Sequence, residues 1–277
     1  MRAKKVVVDA LSYLVLTVAA ILTLFPVAWA LLTSFKQRTD IFTATPVFFF
    51  TPTLRNYIVI FSGEYIWHIR LLNSFIIAGT TTLICVMIGA LAAYGFTRYD
   101  WGHADSVANW ILSIRFLPAV AVAIPWFIIF NYLRLLDTYV AVIITYITFT
   151  LPFAVWLLRG FFVAIPRELD EAALTEGYSR LEILLKIIFP LAKPGIIITS
   201  IFSMIFAWNE FLFALLLTRA NTMTTPVALS TFLQGFLVEW GPLFAATMVT
   251  TLPFIIAVII LQKHIVRGLT LGAVSKS

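Results

Sequence analysis

Residues 166–190 read PRELDEAALTEGYSRLEILLKIIFP, a polar island between long apolar runs. Pro166 suits the first turn of a helix, because its ring presets φ and its missing N–H would have no intrahelical partner there. Glu168, Asp170 and Glu171 follow where the helix dipole is positive, so a short helix is predicted to begin at about residue 167. Gly177 ends it by taking left-handed backbone, and Ser179 with Glu182 forms a capping box that starts a second helix. Leu181, Leu184, Leu185 and Ile188 recur at i, i+3, i+4 and i+7, giving one apolar face until Pro190 terminates the segment. The product is a helix, a glycine turn and a helix lying outside a membrane. On the first helix Ala172, Ala173 and Gly177 make a low-relief strip flanked by acids, suited to docking a basic partner or to packing on the chain's own bundle.

The sequence around this island is that of a membrane protein. Of 277 residues, 61% are hydrophobic and only 12% charged, against roughly 25% charged in soluble domains. A window of about 19 residues selects six spans: 11–32, 74–96, 107–130, 139–158, 195–217 and 242–261. The spans leave only short loops, which excludes a large soluble catalytic domain. The first run is too long for a signal-peptide core and is read as an uncleaved span, with Trp29 at an interface. Residues 33–73 form the longest loop on the other side, where 57–72 could lie as an interfacial helix.

Charge placement orients the spans. Twelve of the 19 Lys and Arg residues fall with the termini and the 161–194 loop, six fall on the opposite side, and Arg115 lies within a span. The positive-inside rule therefore places both termini in the cytoplasm. The net charge of +6 is scattered, with no basic block interleaved with aromatics, so nucleic acid is not expected as a partner. Cys85, the single cysteine, reads as a small buried hydrophobe. No two glycines have the spacing of a phosphate-binding loop, and no HExxH or GxSxG occurs. Neither a catalytic constellation nor a metal site is expected, and no cofactor in this chain.

Ionisable groups inside spans are functional candidates, because charge in hydrocarbon costs at least about 2.5 kcal/mol. Arg115 and Glu210 qualify, and roughly 10 Å of depth separates them at 1.5 Å per residue, which disfavours a direct pair. Arg115 reads either as a helix anchor or as a contact for a polar or anionic solute. Glu210 reads as a structural or gating hydrogen-bond group with Trp208 and Asn209, or as a sugar contact. With Tyr146, these residues are the candidate pathway set, and Asn109, Ser113, Thr145, Thr148, Thr150 and Tyr94 are further polar groups suited to a hydroxyl-rich solute.

Glu171-Ala172-Ala173, Gly177, Ile187 and Phe189-Pro190 resemble the EAA loop of ABC importer permeases, in which EAA, three residues, Gly, nine residues, Ile, one residue and Leu-Pro recur. Phe189 stands in place of the Leu. Asn73-Ser74, Ala92-Ala93-Tyr94, Trp208-Asn209-Glu210-Phe211 and Gly268-Leu269-Thr270 extend the similarity to the carbohydrate, maltose-permease-like branch. The resemblance implies an all-α integral membrane protein of the type I importer permease fold, with six transmembrane helices in one permease domain over 1–277 and a cytoplasmic helix-turn-helix coupling loop at 161–194. It implies a bacterial inner-membrane importer for a sugar or similar solute, built with a second homologous permease chain, two ATPase subunits that hold the ATP and magnesium, and an extracytoplasmic substrate-binding protein. Glu171, Ala172, Ala173, Gly177, Ser179 and Pro190 would dock and couple the ATPase, and the tail from residue 268 would reach it as well. The alternatives are an importer for another small polar solute and an ion-coupled secondary transporter. The latter usually shows matched broken helices and several intramembrane acids.

Overall fold

The computed structural model describes residues 2–63, 65–100, 102–233 and 238–274, with the backbone alone for 2–8, 258 and 260–274. It is 77% helix, and no strand occurs among the described residues. Among the described residues, four helices are long and apolar enough to cross a membrane, with the qualifying stretches Asp9–Ser34, Trp67–Arg98, Tyr139–Val163 and Trp240–Ala257, or five if a bent helix pair counts as one span.

Two of the six predicted spans are interrupted. The third is broken into Ala104–Ser113, a 3-10 turn at Ile114–Phe116 and a second helix at Ala119–Tyr132, with 87° between the two halves. Pro118 is the cause: its ring forces Leu117 out of the helical region, to φ −63° and ψ 129°. The fifth runs only over Lys193–Trp208, 16 residues, and resumes at Leu212–Leu217. No proline accounts for that break. The Glu210 carboxylate accepts from backbone N–H groups that the break frees, those of Phe213 and Ala214 at 3.0 and 3.1 Å, and the Asn209 amide adds a 2.9 Å bond to the Ile205 carbonyl, which also accepts the Asn209 N–H.

The chain packs as two compact units, residues 1–68 with 229–254 and residues 69–228 with 255–277. In the first unit, the turn after the Arg2–Ser34 helix is tied by Asn56, whose amide donates to the carbonyls of Ser34 and Lys36 at 2.9 Å each. The Ser34 and Tyr57 hydroxyls share a 2.8 Å bond. Lys36 is 2% exposed, its ammonium 4.1 Å from the Trp29 ring centre, a stacking that offsets part of its desolvation. The interfacial helix expected over 57–72 is not continuous: Arg55–Phe61 ends at Ser62, and Trp67 already belongs to the long Trp67–Arg98 helix.

In the second unit, the Lys193–Trp208 helix packs along Tyr139–Val163. Gly195 makes the close approach, since a Cβ there would sit 2.3 Å from the Phe161 ring. The opposite end of the unit is held by polar side chains. Asp137, itself in left-handed backbone at φ 58°, accepts from the N–H groups of Arg219, Asn221 and Thr222 at 2.8, 3.1 and 3.0 Å and from the Thr222 hydroxyl at 2.8 Å. Asn73 donates to the carbonyls of Asn221 and Met223 at 2.9 and 3.0 Å, and Arg70 to that of Ala220 at 2.7 Å. Burial raises the Asp137 pKa, but the three N–H groups and the hydroxyl outweigh it and leave the carboxyl below its ordinary value.

Gly195→Ala is expected to destabilise the chain by about 1–3 kcal/mol through overpacking, seen as a lower thermal midpoint in detergent. Phe161→Ala in the same chain should recover part of that loss. An unchanged midpoint for Gly195→Ala would contradict the packing. Asp137→Ala should cost about 1–3 kcal/mol and speed amide exchange at Arg219, Asn221 and Thr222. Because the folded pKa is depressed, the Asp137 contribution is present above its unfolded pKa of roughly 3.9 and is lost as pH falls toward the folded value. The protection of those three amides relative to intrinsic exchange should therefore fall in acid in the wild type and stay flat in Asp137→Ala.

Candidate functional site

Residues 166–190 fold as a helix, a turn and a helix. Glu168–Thr175 is helical with three acids in its first turn, and Gly177 closes it at φ +91°. No atom lies within 4 Å of a Cβ placed at Gly177, so a substitution there is opposed by the backbone conformation and not by crowding within the chain. Ser179 and Glu182 form the reciprocal capping box over Arg180–Ile183. The Lys186 ammonium and the Ser179 N–H and hydroxyl hold the Glu182 carboxyl down to about 2.

Pro190 does not terminate the second helix. The chain passes through a π turn at Leu184–Ile188 and stays helical over Phe189–Leu191 before the Lys193–Trp208 helix begins. The wider turn accommodates a residue that has no N–H to donate and whose ring crowds the preceding turn. The apolar face also differs from the predicted one. Ile183, Leu184 and Ile188 are buried at 0 to 1% exposure, whereas Leu181 and Leu185 are more than half exposed. The buried stripe is therefore centred on 184 and 188, and the 181/185 stripe faces away.

The first helix is two-faced in a way that spacing did not reveal. Glu171 and Ala172 are exposed, but Ala173 is 5% exposed and packs inward with Ala90, Tyr94, Leu158, Phe162 and Ile183. Only Glu171, Ala172 and Gly177 of the predicted strip remain on the outer surface. Asp170, read from sequence as a dipole-stabilising acid, is also buried, at 2% exposure. Its carboxylate pairs with Arg98 Nε at 2.9 Å and accepts from the Tyr94 hydroxyl at 2.8 Å, and Arg98 Nη2 donates to the Ile165 carbonyl at 3.1 Å. Sequence reading placed Arg98 among the loop charges and Tyr94 among the solute-facing groups. The available signal was their spacing of four, which puts both on one face of a helix end.

The candidate pathway residues fall around the two breaks. Arg115 lies in the 3-10 turn, its guanidinium 4.0 Å from the Phe206 ring centre and 5.0 Å from that of Phe153. Its Nη1 is buried without a hydrogen-bond partner, and Arg115 forms no ion pair among the described residues. Glu210 caps the Leu212–Leu217 helix, and the buried Tyr146 donates to the Glu210 carbonyl at 3.3 Å. Thr145, Thr148 and Asn209 donate to carbonyls four residues back, and Ser113 to one three back. The tail residues 275–277 and all side chains from 260 onward lie outside the described residues.

The family described as "Binding-protein-dependent transport system inner membrane component" matches residues 85–271. The chain is 36% identical to the trehalose/maltose transport system permease protein MalG of Thermococcus litoralis, over 92% of each chain. It is 33% identical to the sulfoquinovosyl glycerol transport system permease protein SmoH of Agrobacterium fabrum, over 95% of this chain and 92% of that one. Its fold is similar to that of a chain in the crystal structure of a bacterial ABC transporter involved in the import of the acidic polysaccharide alginate, with TM-score 0.79 at 19% identity, covering 95% of this chain and 98% of that one. A helical chain with apolar helices of membrane-crossing length, an EAA segment packed against its core and this extent of similarity belongs to the family of inner-membrane permease components of binding-protein-dependent transport systems.

Proposed function

We propose that the chain forms one half of the translocation pathway of an ATP-driven importer for a sugar or sugar-like solute. Six crossings, the third and fifth of them broken, place both termini and the 161–194 loop in the cytoplasm, within one permease domain over 1–277. A second, homologous permease chain completes the pathway, a substrate-binding protein delivers solute from outside, and two ATPase subunits holding ATP and magnesium drive the cycle. This chain itself carries no catalytic group, metal or cofactor. The observation that carries the reading is the two-faced Glu168–Thr175 helix, which is anchored inward by Asp170 and Ala173 and presents Glu171 and Ala172 outward.

In this mechanism Glu171 pairs with a basic site on the ATPase and Ala172 allows a close seat. Gly177 provides the turn that only a residue free of Cβ strain adopts readily, and Ser179 and Pro190 shape the helix that returns to the bundle. Closure of the ATPase pair on ATP displaces the seated helix, and the packed bundle converts that displacement into outward opening. Hydrolysis resets it. The support for a sugar comes from the named relatives, MalG and SmoH among them.

A second reading of the solute is favoured by Arg115. A buried guanidinium nitrogen without an acceptor suits an anionic or strongly polar solute group passing the bend, with Phe153 and Phe206 holding the side chain in place. Tyr146, Asn209 and Glu210 shape the other break.

Glu171→Lys and Gly177→Trp should each accumulate in the membrane yet abolish uptake and the response of ATP hydrolysis to loaded binding protein. Normal solute-stimulated hydrolysis in both would remove the segment from the coupling role. An introduced Arg180→Cys should resist impermeant thiol reagents in intact cells, and labelling from outside would reverse the orientation. Arg115→Ala should reduce uptake of anionic analogues more than that of neutral ones; equal loss would identify an anchor, and no loss would exclude Arg115 from transport.

A further inference from the structure

We infer that the Arg98–Asp170 ion pair, completed by the Tyr94 hydroxyl, is the link through which displacement of the Glu168–Thr175 helix reaches the Trp67–Arg98 helix, and that it sets how efficiently hydrolysis is converted to transport. The inference rests on the reading of Glu168–Thr175 as the ATPase seat. It assigns positioning roles to Arg98, Asp170 and Tyr94, which touch neither solute nor nucleotide.

The geometry is that of a staple. Arg98 lies in the last turn of a 32-residue helix and reaches both sides of the bend that separates the Tyr139–Val163 helix from the Glu168–Thr175 helix. It holds the Ile165 carbonyl before the bend at 3.1 Å and the Asp170 carboxylate after it at 2.9 Å. Tyr94, one turn back on the same face, holds the second carboxylate oxygen at 2.8 Å. Asp170 and Ala173 are the buried residues of the seat helix, and Leu174 packs partly buried against the same core, so a force applied to its outer face at Glu171 and Ala172 is delivered to the bundle through the Asp170 ion pair and these apolar side chains.

The two contacts differ physically. Ala173 and Leu174 join the apolar core that contains Ala90, Tyr94, Leu158 and Phe162, and apolar packing is non-directional. The ion pair differs. The side chains of Arg98 and Asp170 are each 3% exposed, so separating them would leave two charges out of water, the condition that makes breaking a buried pair strongly unfavourable. A seat helix that slips relative to Tyr94 and Arg98 meets that penalty, and one that carries the Trp67–Arg98 helix with it does not. Stability alone does not call for charge here, because well-packed apolar residues commonly replace a buried pair without loss.

The test is made on the assembled importer in proteoliposomes with loaded binding protein, reading solute moved per ATP hydrolysed together with the ATPase content of the purified complex. Asp170→Asn, which keeps the shape and the Tyr94 hydrogen bond but removes the charge, should lower that ratio by about fivefold or more, the scale of a coupling energy near 1 kcal/mol, with ATPase content unchanged. Asp170→Glu should stay within about twofold of wild type. For a direct test of mechanical linkage, Arg98→Cys with Asp170→Cys is made in a Cys85→Ala background. The reduced protein should be uncoupled, a bifunctional methanethiosulfonate bridging the two thiols should restore the ratio, and capping each thiol separately should not. A wild-type ratio in Asp170→Asn, loss of ATPase from that complex, or a bridge that leaves the ratio unchanged would each overturn the inference. Should Asp170→Asn fail to accumulate, the cysteine pair and Tyr94→Phe, expected to show a smaller fall in the ratio, decide the question. Absence of ATPase from the purified wild-type complex would instead overturn the seat reading on which the inference stands.

Discussion

Asp170 and Arg98 leave water together, and the conformation of the 161–194 segment follows from that constraint. A carboxylate at 2% exposure requires an adjacent counter-charge. Arg98 Nε supplies it at 2.9 Å from Oδ2, as an ion-pair contact without hydrogen-bond geometry, and the Tyr94 hydroxyl donates to Oδ1. Once they do, the rotation of the Glu168–Thr175 helix about its axis is settled. Ala173 must face inward, one turn from Asp170, and Glu171 and Ala172 must face out. The same guanidinium takes the Ile165 carbonyl, satisfying a backbone group freed where the Tyr139–Val163 helix ends. Phe162, Ile183, Leu184 and Ile188 belong to the apolar core that also holds Tyr94 and Ala173, and the 3% exposure of both charged side chains keeps the interaction from being screened.

The interrupted spans obey a related rule. In hydrocarbon, a backbone group released from a helix must find a partner within the protein. At the third span, proline removes a donor and the Ile114–Phe116 turn takes up part of the change in direction. At the fifth, the Glu210 carboxylate supplies the missing acceptor for the Phe213 and Ala214 N–H groups, and the Asn209 side chain adds a donor to the Ile205 carbonyl. Glu210 is in this sense a helix cap, its carboxylate held by backbone N–H groups and, among the described residues, by no basic side chain. Arg115 is treated differently: aromatic faces surround it, but no acceptor completes its hydrogen bonding among the described residues. The two groups thus differ in kind: the Glu210 carboxylate is hydrogen-bonded within the protein, and Arg115 keeps a buried N–H without a partner among the described residues.

Much of this was legible in the sequence because it depends on local physics. The acids of the first turn, the Gly177 turn and the Ser179–Glu182 capping box are fixed by covalent geometry and by neighbours within four residues, and the structure contains each of them; of the apolar runs, four form helices of membrane-crossing length among the described residues, or five with the bent pair counted as one. Pro118 was visible as a break signal, yet hydropathy averaged over a window runs straight through it. Pro190 misled in the opposite direction, because a proline ends a helix only if the helix cannot widen, and the π turn at Leu184–Ile188 widens it.

Other features were not decided until distant segments met. Which stripe of the Arg180–Ile183 helix and its extension is buried, whether Ala173 faces a partner or its own bundle, and whether Tyr94 points toward solute or toward Asp170 all depend on contacts across tens of residues. The 219–222 loop is comparable: its backbone finds acceptors only because Asp137, more than 80 residues earlier, is folded against it. By itself, the sequence determined a helical membrane chain with a helix-turn-helix insertion, since hydrophobic length, capping and turn chemistry act locally. The tertiary structure alone decided that Arg98 and Asp170, 72 residues apart in the numbering, become one buried pair, because desolvation acts on charges only after packing has removed the water between them.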